Sequence, residues 1–246
     1  MKPPRQPLVG FPDVILHAEE RATKQHSRYR AAKAGDVVAA DTLASELTSS
    51  PAVTQLGELL EQQGAVELVP IHALESEGVN EIPAALANVL SRRLGLAINR
   101  SIVQMNSVGH TGADGFRRLA NQALFAGTVR EGRHYLVVDD FVGQGGTLAN
   151  LIGFIRSQGG VVCGATVLTG KAYSAKLAPE PAQIQALRTK HGPDLEQWWT
   201  ERIGFGFDCL TRSEARYLEK SPDADTIRNR LVAAGPAGSA EDPGAG

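Results

Sequence analysis

Leu136-Val137-Val138-Asp139-Asp140-Phe141-Val142-Gly143-Gln144-Gly145-Gly146-Thr147-Leu148 is an apolar run that ends in two carboxylates and passes through a glycine-rich turn into a new periodic segment. The continuous run Leu136–Val138, with no polar residue alternating, suits a strand buried on both faces, as in a parallel sheet. After the turn, Leu148, Leu151, Ile152 and Ile155 recur at helical spacing, which predicts a helix with one apolar face, ended by Gly159-Gly160. A strand, a tight turn and a helix in that order form half of a βαβ unit. The carboxyl ends of such strands are where open α/β sheets bind ligands.

The same alternation extends on both sides. AVELVPI reads as a strand, AALANVLSRRLG as a helix, LAINRSIVQM and HYLVVDD as strands, TLANLIGFIRSQ as a helix and VVCGATVL as a strand. The expected fold class is therefore α/β, a doubly wound parallel sheet with helical additions at both ends. Residues 1–60 are expected to form a helical cap, in which AAKAGDVVAADTLASEL places Val37, Val38, Leu43 and Leu47 on short amphipathic helices. Residues 61–175 hold the α/β domain. Residues 176–234 read as a helical lid or subdomain, from PAQIQALRTKHG, DLEQWWTERIG, SEARYLEK and ADTIRNRLVAA. Residues 235–246, small and rich in Gly and Pro, lack the apolar surface to offset ordering entropy and are expected to be disordered.

The composition of the 246 residues excludes several classes. The chain is 42% hydrophobic and 21% charged with a net charge of −2, and it has no apolar run near the ~20 residues of a membrane span. Its N-terminus shows no apolar segment with a cleavage site, so a cytoplasmic location is expected. There is no basic excess to bind nucleic acid globally. Cys163 and Cys209 show no CxxC spacing, and the six histidines form no HxxxH or HExxH pattern, which argues against disulfide and zinc frameworks.

The chemistry lies in the loop. Asp139 and Asp140, expected to be exposed at the strand end, can accept hydrogen bonds from paired vicinal hydroxyls such as those of a ribose. Gly143, Gly145 and Gly146 let backbone close around an anion, and the N–H groups at the helix start point into the same space. Thr147 is placed near the helix cap, with its hydroxyl able to serve the helix or a phosphate oxygen. No Gly-Lys-Ser/Thr follows the glycines, and they come after the acidic pair rather than before it, so neither a P-loop nor a Rossmann fingerprint fits.

This string resembles the fingerprint of type I phosphoribosyltransferases, in which apolar residues, two acidic residues and a Thr/Gly-rich turn bind phosphoribosyl pyrophosphate (PRPP). The resemblance implies ribose contacts at Asp139 and Asp140 and 5-phosphate contacts from Gly143, Gln144, Gly145, Gly146 and Thr147. Val69-Pro70-Ile71-His72 followed by Gly78-Val79-Asn80 resembles the pyrophosphate-loop region of the competence-protein-F type, as does GADGFRRLANQALFAG before the acidic pair. The likeness spans roughly Val66 to Leu168. It implies a pyrophosphate contact at His72, charge neutralisation by Arg117 and Arg118, a mobile loop over Asn106–Gly115, an acceptor contact at Lys171, and Mg²⁺ held mainly by substrate phosphates. Two departures stand out: Gly143-Gln144 replaces the usual Thr-Thr, and Glu75 and Glu77 stand where the family carries arginines.

The function implied is transfer of phosphoribosyl from Mg-PRPP to a nitrogenous acceptor with release of pyrophosphate. Beside it stands a non-catalytic PRPP- or nucleotide-binding regulator, or an accessory protein of DNA uptake or defence. A third reading makes the helical ends a partner or homodimer surface. Phe205, Phe207, Trp198 and Trp199 are expected to form the small core of the C-terminal helices rather than to stack on an acceptor base.

Overall fold

A computed structural model describes residues 2–72, 74–75, 78–107 and 115–235, with side chains undescribed at 74 and 75. The chain opens with an extended arm and enters β1 (Ile15–Ala18), then α1 (Ala22–Gln25), α2 (Tyr29–Lys33), α3 (Val37–Leu47) and α4 (Ser50–Leu60). It continues through β2 (Val66–Pro70), the ribbon β3 (Leu74–Glu75) and β4 (Gly78–Val79), α5 (Ile82–Leu94), β5 (Ala97–Ile98), β6 (Val103–Gln104), α6 (Gly115–Ala120) and β7 (Phe125–Ala126). Then come β8 (His134–Val142), α7 (Gly146–Ser157) and β9 (Val161–Gly170), followed by α8 (Pro181–His191), α9 (Pro193–Ile203), α10 (Arg212–Glu219) and α11 (Ala224–Ala234).

Five strands form one parallel sheet in the order β1-β9-β8-β2-β5, so the α/β expectation holds. β8 lies at its centre and is buried on both faces, which is why its sequence is apolar without alternation. Tyr135 and Val137 pack with Leu148, Leu151, Ile152 and Ile155 of α7, while Leu136 and Val138 pack with α3, α4 and α5. The C-terminal helices close a third core around Trp199, Phe205 and Phe207, and α6 joins it through Phe116 and Leu119. Trp199, Phe205 and Phe207 are therefore core as expected, whereas Trp198 is half-buried and packs against its edge.

Three expectations need correction. The first 60 residues are not only helical, because β1 pairs with β9 and becomes an edge of the sheet. Val37 and Val38 do not face the core: they are 54% and 74% exposed in the first turn of α3, whose buried face is Ala39, Ala40, Leu43 and Ala44. Small alanines let α3 sit close against α5, and that close contact favours the alanine face over the branched valines. The stretch LAINRSIVQM makes two short strands in different sheets, β5 and β6, rather than one. Among the described residues no helix is long and apolar enough to cross a membrane. The expected tail beyond Gly235, residues 108–114 of the expected mobile loop, and Glu77 lie outside the described residues.

Candidate functional site at the carboxyl edge of the sheet

The end of β8 is flanked by its two neighbours. On one side Pro70 pairs with Val138 and the Ile71 N–H donates to Val138 O at 2.9 Å, which puts His72 just past the carboxyl end of β2, at the same edge. On the other, Phe141 and Val142 pair with Thr169 and Gly170, and the Lys171 N–H donates to Val142 O at 3.2 Å. Sheet pairing thus gathers His72, Asp139, Asp140 and Lys171 at one edge from three separate segments of sequence.

The two aspartates are not exposed as the sequence suggested. Asp139 is only 8% exposed, and its Oδ1 accepts from the Asp140 N–H at 2.8 Å. Burial, followed by the adjacent charge of Asp140, raises the Asp139 carboxyl well above the ordinary carboxylate range. Asp140 Oδ2 is 3.1 Å from Nζ of Lys33 on α2, a partner that the sequence reading missed. The α1–α2 segment packs on this edge: Thr23 and Thr169 hydroxyls are 3.0 Å apart, and Lys24 Nζ sits 5.6 Å from the Phe141 ring centre. His72 is half-buried, and burial lowers its pKa, with Glu81 and Arg100 acting in opposite directions.

The glycine-rich turn takes the shape its residues allow. Gly145 adopts φ +82° and is the N-cap of α7. That conformation favours glycine, and a Cβ there would also lie 2.5 Å from Leu177 Cδ2 and displace that side chain. Thr147 is therefore inside the helix, and no side chain caps α7, which corrects the expectation that Thr147 caps the helix. Arg118 Nη1 lies 3.6 Å from where a Cβ on Gly143 would stand, so α6 carries this guanidinium to the turn, while Arg117 is on the exposed face. Lys171 Nζ is 5.7 Å from the ring centre of Tyr173, and the Arg216 guanidinium is 4.1 Å from the same ring.

The back of the turn is held by residues the sequence reading did not select. Thr211 Oγ1 donates to Gln144 O at 2.6 Å, and Arg5 Nη2 donates to Gly146 O at 3.2 Å. Arg5 also pairs with Glu214 at 2.5 Å. Thr211-x-x-Glu214 is a capping box, with both reciprocal bonds present. That pattern was readable in the sequence as Thr-Arg-Ser-Glu, although its contact with the turn was not. Among the described residues no group of three or more His, Cys, Asp or Glu side chains gathers to hold a metal.

No family model matches the chain. The chain is 40% identical over 230 residues to Protein TraN of Escherichia coli, covering 94% of this chain and 51% of that protein. It is also 40% identical over 148 residues to an uncharacterized protein of Haemophilus influenzae, covering 60% of this chain and 33% of that one. The chain thus spans about half the length of the first curated relative and a third of the second. Among solved structures it is similar to an adenine phosphoribosyltransferase from Thermoanaerobacter pseudethanolicus, with TM-score 0.34 and 19% identity over 52% of this chain and 73% of that one. It is also similar to UMP synthase of Leishmania donovani, with TM-score 0.32 and 14% identity over 74% of this chain and 32% of that one. Scores this low bear on neither activity nor substrate.

Proposed function

We propose that the chain binds a ribose 5-phosphate compound of the PRPP kind at this edge and transfers its phosphoribosyl group to a nitrogenous acceptor. The observation that carries the reading is the convergence on one strand end of an acidic pair, a turn with a left-handed glycine opening α7, and the Arg118 guanidinium against that turn. Asp139 and Asp140 meet the 2- and 3-hydroxyls, and the backbone N–H groups from Gly143 to Thr147 receive the 5-phosphate. The finer affiliation with the competence-protein-F type belongs to this proposal and rests on the motif likeness alone.

The chemistry asks little covalent work of the protein. The acceptor nitrogen forms a bond to C1 while the bond from C1 to the pyrophosphate oxygen breaks, through an oxocarbenium-like transition state. The electron pair leaves with pyrophosphate, and the acceptor's proton passes to solvent or to the leaving group. Arg118, against the Gly143 turn, adds positive charge beside the 5-phosphate, His72 is the donor offered to the departing oxygens, and Lys171 the group offered to an acceptor carbonyl. Mg²⁺ would be carried by the substrate's own phosphate oxygens, as among the described residues no group of three or more His, Cys, Asp or Glu side chains gathers and Asp140 already faces the Lys33 ammonium.

A non-catalytic sensor is the second reading. It is favoured by the same Lys33–Asp140 pair and by the burial of Asp139, which leave the acidic pair partly occupied by the protein itself. Calorimetric titration of Mg-PRPP, with ribose 5-phosphate and pyrophosphate as separate ligands, tests both. Transfer requires PRPP to bind more tightly than ribose 5-phosphate, and Asp140→Asn to weaken it by about tenfold or more. Equal binding of PRPP and ribose 5-phosphate favours the sensor, and no binding of either sinks both.

A further inference from the structure

We infer that the C-terminal helices and the N-terminal arm complete the anion loop, with Thr211, Arg5 and Glu214 as positioning residues that turn its N–H groups to the open side. The inference deepens the reading above and rests on it for the identity of the ligand. It starts from peptide geometry: a trans peptide is planar, and its C=O and N–H point in opposite directions. Thr211 Oγ1 draws the Gln144 carbonyl toward itself at 2.6 Å, so the N–H of Gly145 in the same peptide unit points away from Thr211. Arg5 Nη2 does the same to the Gly146 carbonyl at 3.2 Å, so the Thr147 N–H points away from Arg5.

Both donors stand on one side of the loop because both hold the same carboxylate. Glu214 Oε2 accepts from the Thr211 N–H at 2.8 Å and pairs with Arg5 Nη1 at 2.5 Å. Two carbonyls drawn to one side leave two N–H groups facing the other.

The cluster is stiff enough to impose that geometry. Arg5 is 7% exposed, its Nε donates to Asn150 Oδ1, its Nη2 also reaches Gln122 Oε1 at 3.0 Å and Glu214 Oε1 at 2.8 Å, and its guanidinium lies 4.4 Å from the Phe205 ring centre. A buried ion pair with its remaining hydrogen-bonding positions filled holds one arrangement. Thr211 brings a hydroxyl to the backbone of the turn from 67 residues away in sequence.

The test uses ¹⁵N-labelled full-length protein. Thr211→Val removes the hydroxyl and keeps the shape, Thr211→Ser restores the hydroxyl, and Asp223→Ala removes the cap of α11 in the same helical segment without touching the loop. In Thr211→Val the amide resonance of Gly145 should move in the free protein, and ribose 5-phosphate affinity should fall about three- to tenfold. Thr211→Ser should stay within about twofold of wild type. Asp223→Ala should lower thermal stability while leaving both readouts unchanged. If Thr211→Val does not fold, Arg5→Lys carries the same reading at the Thr147 amide. Amide resonances unmoved in these variants, or an equal loss of affinity in Asp223→Ala, would overturn the inference. Moved amides in a protein that binds neither ribose 5-phosphate nor PRPP would support the loop geometry and sink the proposed function, so the two failures are distinguishable.

Discussion

Asp139 and Asp140 are adjacent in sequence, but they meet different surroundings. Side chains alternate along β8, so Asp139 follows Tyr135 and Val137 to the side packed by α7, and Asp140 follows Leu136 and Val138 to the side from which Lys33 reaches it. An acid whose pKa is higher folded than unfolded keeps its proton longer in the folded state. Its ionisation therefore lowers stability as pH rises from about 4, the unfolded value, through the raised folded value. Asp139→Asn removes that penalty. Scanning calorimetry should show the variant melting above wild type near pH 7 and little above it near pH 4. The same gain at both pH values would mean that Asp139 does not titrate between them.

At the scale of elements, α7 shows how a local preference is overruled by a neighbour. Replacing glycine by alanine inside a helix ordinarily adds about 1 kcal/mol. At Gly153, in the middle of α7, a Cβ would lie 2.4 Å from Pro4 O and 2.8 Å from Arg5 Cα, both backbone atoms of the N-terminal arm. Gly153→Ala must push the arm off the helix. It should cost about 1–3 kcal/mol instead, read as a lower midpoint in urea unfolding. The apolar face of α7 was legible from spacing alone, because Leu148, Leu151, Ile152 and Ile155 are large and regular. β1 was not, because four residues at a sheet edge carry too short a pattern to separate from loop. On α3 the large valines drew the reading, whereas alanines make the contact.

Across the whole molecule, one arginine near the start of the chain joins the arm, α7 and the C-terminal helices. Arg5 meets Gly146 and Asn150 of α7, Gln122 after α6, and Cys209 and Glu214 of the C-terminal segment. Breaking a buried pair by removing one member leaves the other charged and unpaired in the interior. Arg5→Ala should therefore cost about 3–5 kcal/mol, measured by the urea midpoint at constant slope. The double variant Arg5→Met with Glu214→Leu should recover much of that loss. Failure of the pair to recover would mean that Arg5 acts through its packing on Phe205 rather than its charge.

What the sequence determined by itself is the local part: a doubly buried strand, a glycine turn, an amphipathic helix and two carboxylates at the strand end. Each is set by side-chain periodicity, by backbone freedom at glycine, or by residues within a few positions of one another. Tertiary structure alone decided that Asp139 is buried while Asp140 meets Lys33 of α2, that Arg118 reaches the turn, and that Thr211, Arg5 and Glu214 stand behind it. Those contacts join residues as far as 209 positions apart. No local periodicity encodes such a meeting, because it depends on how the sheet pairs and on which helix faces close over its edge.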